Sequence, residues 1–173
     1  MVRFNEDEVR VMGRTASGVK GIELDDSKVI GAEVLKQNQL ILIVTENGYG
    51  KKSEIDEYRL THRGSKGVKA LNITDKNGMM VALKCVNPEN ESDLMIMTDS
   101  GVIIKLPLEQ VSTLKRATQG IRLINLKDDQ KVSTVAIVDK EDDTEENSEN
   151  EEQSSVEKNI LSEENTQTNE ISK

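Results

Sequence analysis

Apolar positions in the first 138 residues fall into short runs cut by turn residues. The runs are "QLILIVT" (39–45), "GVKALNI" (67–73), "GMMVALKCV" (78–86), "DLMIMT" (93–98), "GVIIKLPL" (101–108), "GIRLINL" (120–126) and "KVSTVAIV" (131–138). They are rich in β-branched residues, and "ENG", "DKNG", "NPENES", "DSG" and "KDD" separate them. No segment sustains a helical period, so the pattern predicts an all-β chain of short strands. Asn47-Gly48, Asn77-Gly78 and Ser100-Gly101 supply the positive φ that tight hairpins require. A strand about every ten residues suits a sandwich, a barrel or a propeller.

An internal repeat narrows that choice. "GRTASGVKGIEL" (13–24), "HRGSKGVKALNI" (62–73) and "KRATQGIRLINL" (115–126) share one pattern. Each has an arginine, then after three residues a glycine, then Val or Ile, then Lys or Arg, and finally an apolar stretch. The arginines are Arg14, Arg63 and Arg116, the glycines Gly18, Gly67 and Gly120, and the following bases Lys20, Lys69 and Arg122; all three sets keep offsets of 49 and 102. "TENGYGKK" (45–52) matches "TDSGVIIK" (98–105), and Lys52 and Lys105 lie 49 and 102 residues beyond Arg3. A period of about 50 residues with four strands per unit is that of a propeller-like blade. Each such unit leaves apolar faces that only its neighbours cover. The first copy starts partway through its unit, so residues 1–138 read as an incomplete ring of about three blades.

Charge divides the chain in two. Of 32 acidic and 23 basic residues, 13 and 3 lie from Asp139 onward, leaving 19 and 20 before it. The body is near neutral and residues 139–173 form a strongly acidic tail. The tail has no aromatic residue, few apolar ones and much Glu, Ser and Asn. Such a segment buries too little surface to offset its ordering entropy and is expected to be disordered. It serves either as a solubilising tail or as an internal mimic of a polyanion.

Composition removes several function classes. Aromatics are 2% of the chain and tryptophan is absent, so the core must use Val, Ile, Leu and Met. The single cysteine, Cys85, cannot close an internal disulfide, and no Cys/His spacing suits zinc. The N-terminal "MVRFNEDEVR" has no apolar stretch of the signal-peptide kind, and no run reaches the ~18 residues of a membrane helix. A soluble cytoplasmic protein is expected.

The recurring bases carry the functional reading. A base beside a glycine-relieved turn, repeated once per blade, places positive points around a curved rim. That suits a polyanion bound through its phosphates with no reading of bases. Lys66 adds to Arg63 and Lys69 in the second copy. The glycines themselves answer to the turn, and a base can also keep an edge strand soluble. Other chemistry finds little support. "GRTASGVK" has its lysine one place late for a P-loop and lacks the Ser/Thr that should follow. His62 is the only histidine, and Tyr49 and Tyr58 have no evident base or metal cluster beside them. Asp25, Asp26, Asp75, Asp128 and Asp129 sit in turns, where Asp needs no metal to explain it. The Met79-Met80 and Met95/Met97 pairs read as core or pleat positions.

"VRFNEDEVRVMGRTASGVKGIEL" and "ILIVTENGYGKKSEIDEYRLTHRGSKGVKALNI" closely resemble the C-terminal domain of the DNA gyrase A protein, and the likeness runs to about residue 138. The resemblance implies a β-pinwheel, a six-bladed propeller variant with strands exchanged between blades. It implies a basic outer rim that wraps duplex DNA and so supports ATP-dependent negative supercoiling by the whole enzyme. The matching rim bases are Arg14, Lys20, Lys51, Lys52, Arg63, Lys66, Lys69, Lys105, Arg116 and Arg122. The family's hallmark Gln-Arg-Arg-Gly-Gly-Lys-Gly box is only echoed by "THRGSKG" (61–67), where His62 replaces an arginine and Ser65 a glycine. The chain therefore reads as the last three blades. No catalytic residue and no cofactor are expected within it, since the catalytic tyrosine and the ATP and Mg sites belong to other parts of that enzyme. The implied partners are duplex DNA, the gyrase B subunit, and the gyrase A catalytic region. An acidic tail after the last blade recurs in the family and implies competition with DNA for the rim. Two rival readings are the related domain of topoisomerase IV and a propeller-like protein-interaction scaffold. An enzyme acting alone comes third.

Overall fold

The computed structural model describes residues 1–127 and 129–140. Its strands form two antiparallel sheets, and among the described residues there is no α-helix. Three single turns of 3-10 helix, Glu6–Glu8, Ile55–Glu57 and Leu108–Gln110, stand at the offsets of the sequence repeat. The repeat is thus a repeat of structure.

The first sheet is built on β1 (Leu40–Thr45), flanked by β2 (Tyr49–Glu54) and β3 (Met80–Val86). All six residues of β1 are buried. Successive side chains of a strand leave on opposite faces, and here both faces are covered. Leu40, Leu42 and Val44 enter one apolar cluster, while Ile41 and Ile43 enter another with Tyr58, Ala70 and Leu71. The second sheet has β4 (Ser92–Thr98) at its centre, with β5 (Ile103–Pro107) on one side and β7 (Val132–Asp139) on the other. Leu94 and Ile96 of β4, with Val132 and Val135 of β7, extend the first cluster between the two sheets. Register shifts interrupt both sheets at equivalent places, Val44/Thr45 and Met97/Thr98.

The fourth strand of the first sheet comes from the following repeat. β6 (Ile121–Arg122) pairs with β2, Gly50 opposite Ile121 and Tyr49 opposite Arg122. Its predicted extent, 120–126, shrinks to these two residues, and 67–73 forms no ladder. Both segments touch the edge of the preceding repeat briefly and then turn away. Val68 makes the same contact with Met1, its amide donating to the Met1 carbonyl at 2.8 Å while the Met1 amino group donates back at 2.8 Å. A few bonds to a neighbour suffice to place the segment, so a longer ladder is not needed.

β2 itself, "YGKKSE", was not among the predicted strands. It has no apolar alternation, yet five of its six residues are buried. Residues 112–124 of the next repeat cover it. The Lys52 amide donates to the Ser112 carbonyl at 2.9 Å, the Leu114 amide to Lys52 at 2.8 Å, and the Leu123 amide to Gly48 at 2.8 Å.

Candidate nucleic-acid interface

The three recurring glycines all adopt positive φ, at 82° for Gly18, 73° for Gly67 and 81° for Gly120. This left-handed turn lets the chain leave one repeat and meet the edge of the one before. Two residues later come Lys20, Lys69 and Arg122, all exposed. Arg14, Lys66 and Lys105 are exposed as well, while Arg63 and Arg116 are half-buried.

Those two arginines have a different task from the lysines. Arg63 Nη1 donates to the Lys20 carbonyl at 3.2 Å, and Arg116 Nη1 to the Lys69 carbonyl at 3.0 Å. The Arg63 amide meets the Glu8 carboxylate at 3.0 Å, and the Arg116 amide meets that of Glu57 at 3.3 Å. Each arginine thus clasps its repeat to the preceding one, directly beneath the exposed lysine of that repeat. The sequence brought Arg63, Lys66 and Lys69 together on one loop. The structure groups Arg63 with Lys20, and Arg116 with Lys69.

Lys51 and Lys52 depart from the expected rim. Lys51 is fully buried, and Lys52 keeps only 9% of its surface. Lys51 Nζ donates to the carbonyls of Lys115, at 2.7 Å, and Arg116. Lys52 Nζ donates to the Leu108 carbonyl at 2.9 Å. Arg3 makes the matching bond one repeat earlier, from Nη1 to the Ile55 carbonyl at 3.1 Å. These bases satisfy orphan carbonyls where repeats meet, so neither lysine is open to an external polyanion. Burial lowers the Lys51 ammonium to about 8, opposed by the Glu57 carboxylate and reinforced by Arg116. Lys105 is held within its own sheet, 2.8 Å from the buried Asp93 carboxylate.

Arg122 is the most structured of the exposed bases. Its Nε and Nη2 donate to the Tyr49 hydroxyl at 3.2 and 2.9 Å, and its Nη1 to Asn125 Oδ1 at 3.1 Å. The guanidinium lies 5.5 Å from the Tyr49 ring centroid, and Lys76 Nζ lies 5.7 Å from it. Lys127 joins them around a cleft of about 310 Å³ that no carboxylate lines among the described residues. Sequence reasoning missed Lys76 and Lys127. Both lie in turns, "DKNG" and "KDD", whose aspartates drew attention instead of the lysine between or before them.

The minor chemical candidates resolve simply. Tyr58 is fully buried, and Tyr49 serves Arg122. His62 Nδ1 rests 3.3 Å from the Glu8 carboxylate on the surface. Burial pushes the Cys85 thiol up to about 11, which leaves little thiolate for reaction. Among the described residues no helix is long and apolar enough to cross a membrane.

Known proteins resemble this chain in sequence and in fold. The chain is 50% identical over 159 residues to the DNA gyrase A protein of Staphylococcus aureus (strain MRSA252), covering 90% of this chain and 17% of that one. Against the same protein of strain NCTC 8325 / PS 47 the identity is 48%, covering 90% and 18%. The chain therefore spans less than a fifth of the length of these relatives. Among solved structures, a DNA gyrase A C-terminal domain matches with a TM-score of 0.66 and 24% identity, over 78% of this chain and 46% of that one. The C-terminal domain of DNA topoisomerase IV matches with a TM-score of 0.71 and 21% identity, over 79% and 42%. At such identities these two speak for the fold alone. The model of the DNA gyrase C-terminal domain, beta-propeller, matches residues 1–36, 39–87 and 92–139, and the chain belongs to that family.

Proposed function

We propose that residues 1–138 bind and wrap duplex DNA without reading its sequence, as the C-terminal part of a gyrase A protein whose full enzyme supercoils DNA. The observation that carries this reading is the recurrence of exposed Lys20, Lys69 and Arg122 at one position of each repeat. Charges so spaced follow a backbone, since phosphates recur along a duplex whatever its bases. Arg14, Lys66, Lys76 and Lys127 add to that surface; Lys51 and Lys52 do not. The proposed partners are the gyrase A catalytic region and the gyrase B protein, and the segment has no catalytic role of its own. The closer sequence likeness to gyrase favours it over topoisomerase IV.

The acidic tail beyond residue 138 lies almost wholly outside the described residues. Its proposed role is to compete with DNA for the basic surface, motivated by its excess of ten acidic charges beside a near-neutral body. The test is duplex binding across salt concentrations, with the whole chain and with a chain ending at residue 138. Neutralising about five phosphates gives a log–log salt slope near −4.5. The shorter chain should bind more tightly at low salt. Equal affinity would remove the competition. Binding absent from both chains would remove the DNA reading in favour of a protein-interaction scaffold.

A further inference from the structure

Three segments from two successive repeats meet at the hairpin between β1 and β2, and neutral hydrogen bonds fix each in place. Asn47 Nδ2 donates to the carbonyls of Asp75 and Lys76 at 3.1 and 3.2 Å, which ties the turn carrying Lys76 to the hairpin. The buried Asn77 side chain holds that turn from within. Its Oδ1 accepts from the Thr74 amide at 2.7 Å, and its Nδ2 donates to the carbonyls of Asn72 at 2.9 Å and Gln119 at 3.1 Å. The last of these bonds reaches the next repeat. There the Leu123 and Ile124 amides both meet the Gly48 carbonyl, at 2.8 and 3.3 Å. Lys76 and Arg122 are thus carried on backbone that is tied on both sides of a joint formed wholly within the chain.

What holds Arg122 leaves its charge intact. Its side-chain bonds go to the Tyr49 hydroxyl and to Asn125 Oδ1, neither of them an anion. A guanidinium has five N–H groups, so one remains on each terminal nitrogen for an external acceptor. The Tyr49 hydroxyl accepts in both of its bonds with Arg122 and keeps its own proton to donate. Other surface bases are matched to acids. Lys84 lies 2.9 Å from Glu33, Lys131 lies 2.8 Å from Glu46, and Lys20, at the place of Arg122 two repeats earlier, lies 3.8 Å from Glu23. Among the described residues Arg122, Lys76 and Lys127 have no such carboxylate.

Gathering cations without a counter-charge costs energy, and an anion that enters offsets the cost. Arg122 and Lys76 share the ring of Tyr49, at 5.5 and 5.7 Å from its centroid. Tyr49 is only 7% exposed, so its ring backs the cleft and is closed to a stacking base. What remains is a set of N–H and O–H donors around the open volume. A phosphate suits such a set, because its oxygens accept from several directions and a guanidinium fork matches two of them. An arginine already held also loses less side-chain entropy on binding than a free lysine does.

We propose that this cleft is a preformed seat for one phosphate of the duplex backbone. Arg122 is its main donor, Lys76 and Lys127 stand beside it, and Tyr49 is the residue that positions Arg122. Being one contact of the proposed DNA-binding surface, the seat rests on that reading. It makes the joint between β2 and β6 the strongest contact of the series, since Lys20 and Lys69 at the equivalent places are single charges on flexible stems.

A mutant cycle tests the seat, read by duplex binding of the full chain at several low salt concentrations, with circular dichroism confirming that each variant is folded. Arg122→Ala should weaken binding about tenfold and lower the salt slope by about one. Tyr49→Phe keeps the ring and every charge, so it should weaken binding about threefold to fivefold and leave the slope unchanged. Because Tyr49 acts through Arg122, Tyr49→Phe should have no further effect in the Arg122→Ala chain. Independent losses from the two would overturn the seat while leaving DNA binding in place. So would an Arg122→Ala loss no larger than that of Lys66→Ala. A second measurement needs no DNA. The Arg122 Nε–H resonance, followed by NMR, should shift saturably with pyrophosphate and much less with acetate at equal ionic strength. No shift, or equal shifts with the two ions, would overturn the seat. A pyrophosphate response in a chain that binds no duplex would overturn the backbone as the source of the phosphate, and the DNA reading with it.

Discussion

β2 and β5 hold the same place in successive repeats, and lysines in them end in different environments. The Lys52 ammonium is buried against the Leu108 carbonyl because the following repeat lies over its strand. The Lys105 ammonium, at the equivalent position, remains exposed and pairs with Asp93 in its own sheet. Two residues of the same type, in register, are thus an internal joint in one repeat and a surface group in the next. The role of a base in a repeat protein depends on whether a neighbour covers it. Arg63 and Arg116 show the intermediate case, half-buried and tied to the carbonyl beneath an exposed lysine.

The largest effect expected from this contrast is at the glycines of the two hairpins. Gly48 and Gly101 have φ of 77° and 83°, so alanine strains the backbone at both, by about 1–2 kcal/mol. Only at Gly48 does the new methyl also meet Ile124, which adds about 1–3 kcal/mol of overpacking. In urea denaturation Gly48→Ala should therefore lose about twice as much stability as Gly101→Ala. Equal losses would mean that the segment after Gly120 does not close over β2.

Next in size is Lys51→Met, which leaves the Lys115 and Arg116 carbonyls without their donor and should cost about 2 kcal/mol at pH 7. Its pH dependence follows from burial. The folded state releases the Lys51 proton near pH 8, the unfolded chain only near 10.5. The stability linked to this depressed value is fully present above about 10.5 and is lost as pH falls through about 8. A neutral amine still has two hydrogens for its two carbonyls. The gap between the natural chain and Lys51→Met should therefore widen from pH 7 to pH 9.5, by no more than about 3 kcal/mol. A gap that narrows instead would mean that Lys51 gains a charged partner on folding.

Smaller effects separate the clasp from the surface bases. Arg116→Ala should cost about 1–2 kcal/mol by loosening the joint between repeats. Lys69→Ala should change stability by less than about 0.5 kcal/mol, yet weaken duplex binding and lower the salt slope by about one. Lys66→Ala removes only an exposed pair with Asp25 at 3.4 Å, so its effect on stability should be the smallest. If Arg116→Ala left stability unchanged while Lys69→Ala lowered it, the division of labour would be reversed.

The all-β class, the repeat and its register can be read from the residues alone. Strands such as Leu40–Thr45 and Ser92–Thr98 were legible because their apolar residues are dense, β-branched and bounded by turn signals. The offsets of 49 and 102 were legible because interlocking repeats must keep equivalent residues at equivalent joints. Lys20, Lys69 and Arg122 were visible as recurring bases for the same reason. Which bases face outward depends instead on how the repeats pack. "YGKKSE" has no local apolar signal, and its lysines are buried because residues 112–124, some sixty positions later, supply both the cover and the carbonyls. The strand beginning at Ile121 is short for a related reason, since its pairing partner belongs to the previous repeat. Periodicity reports the solvent on a segment's own two faces, whereas these joints depend on a neighbour that no local window contains.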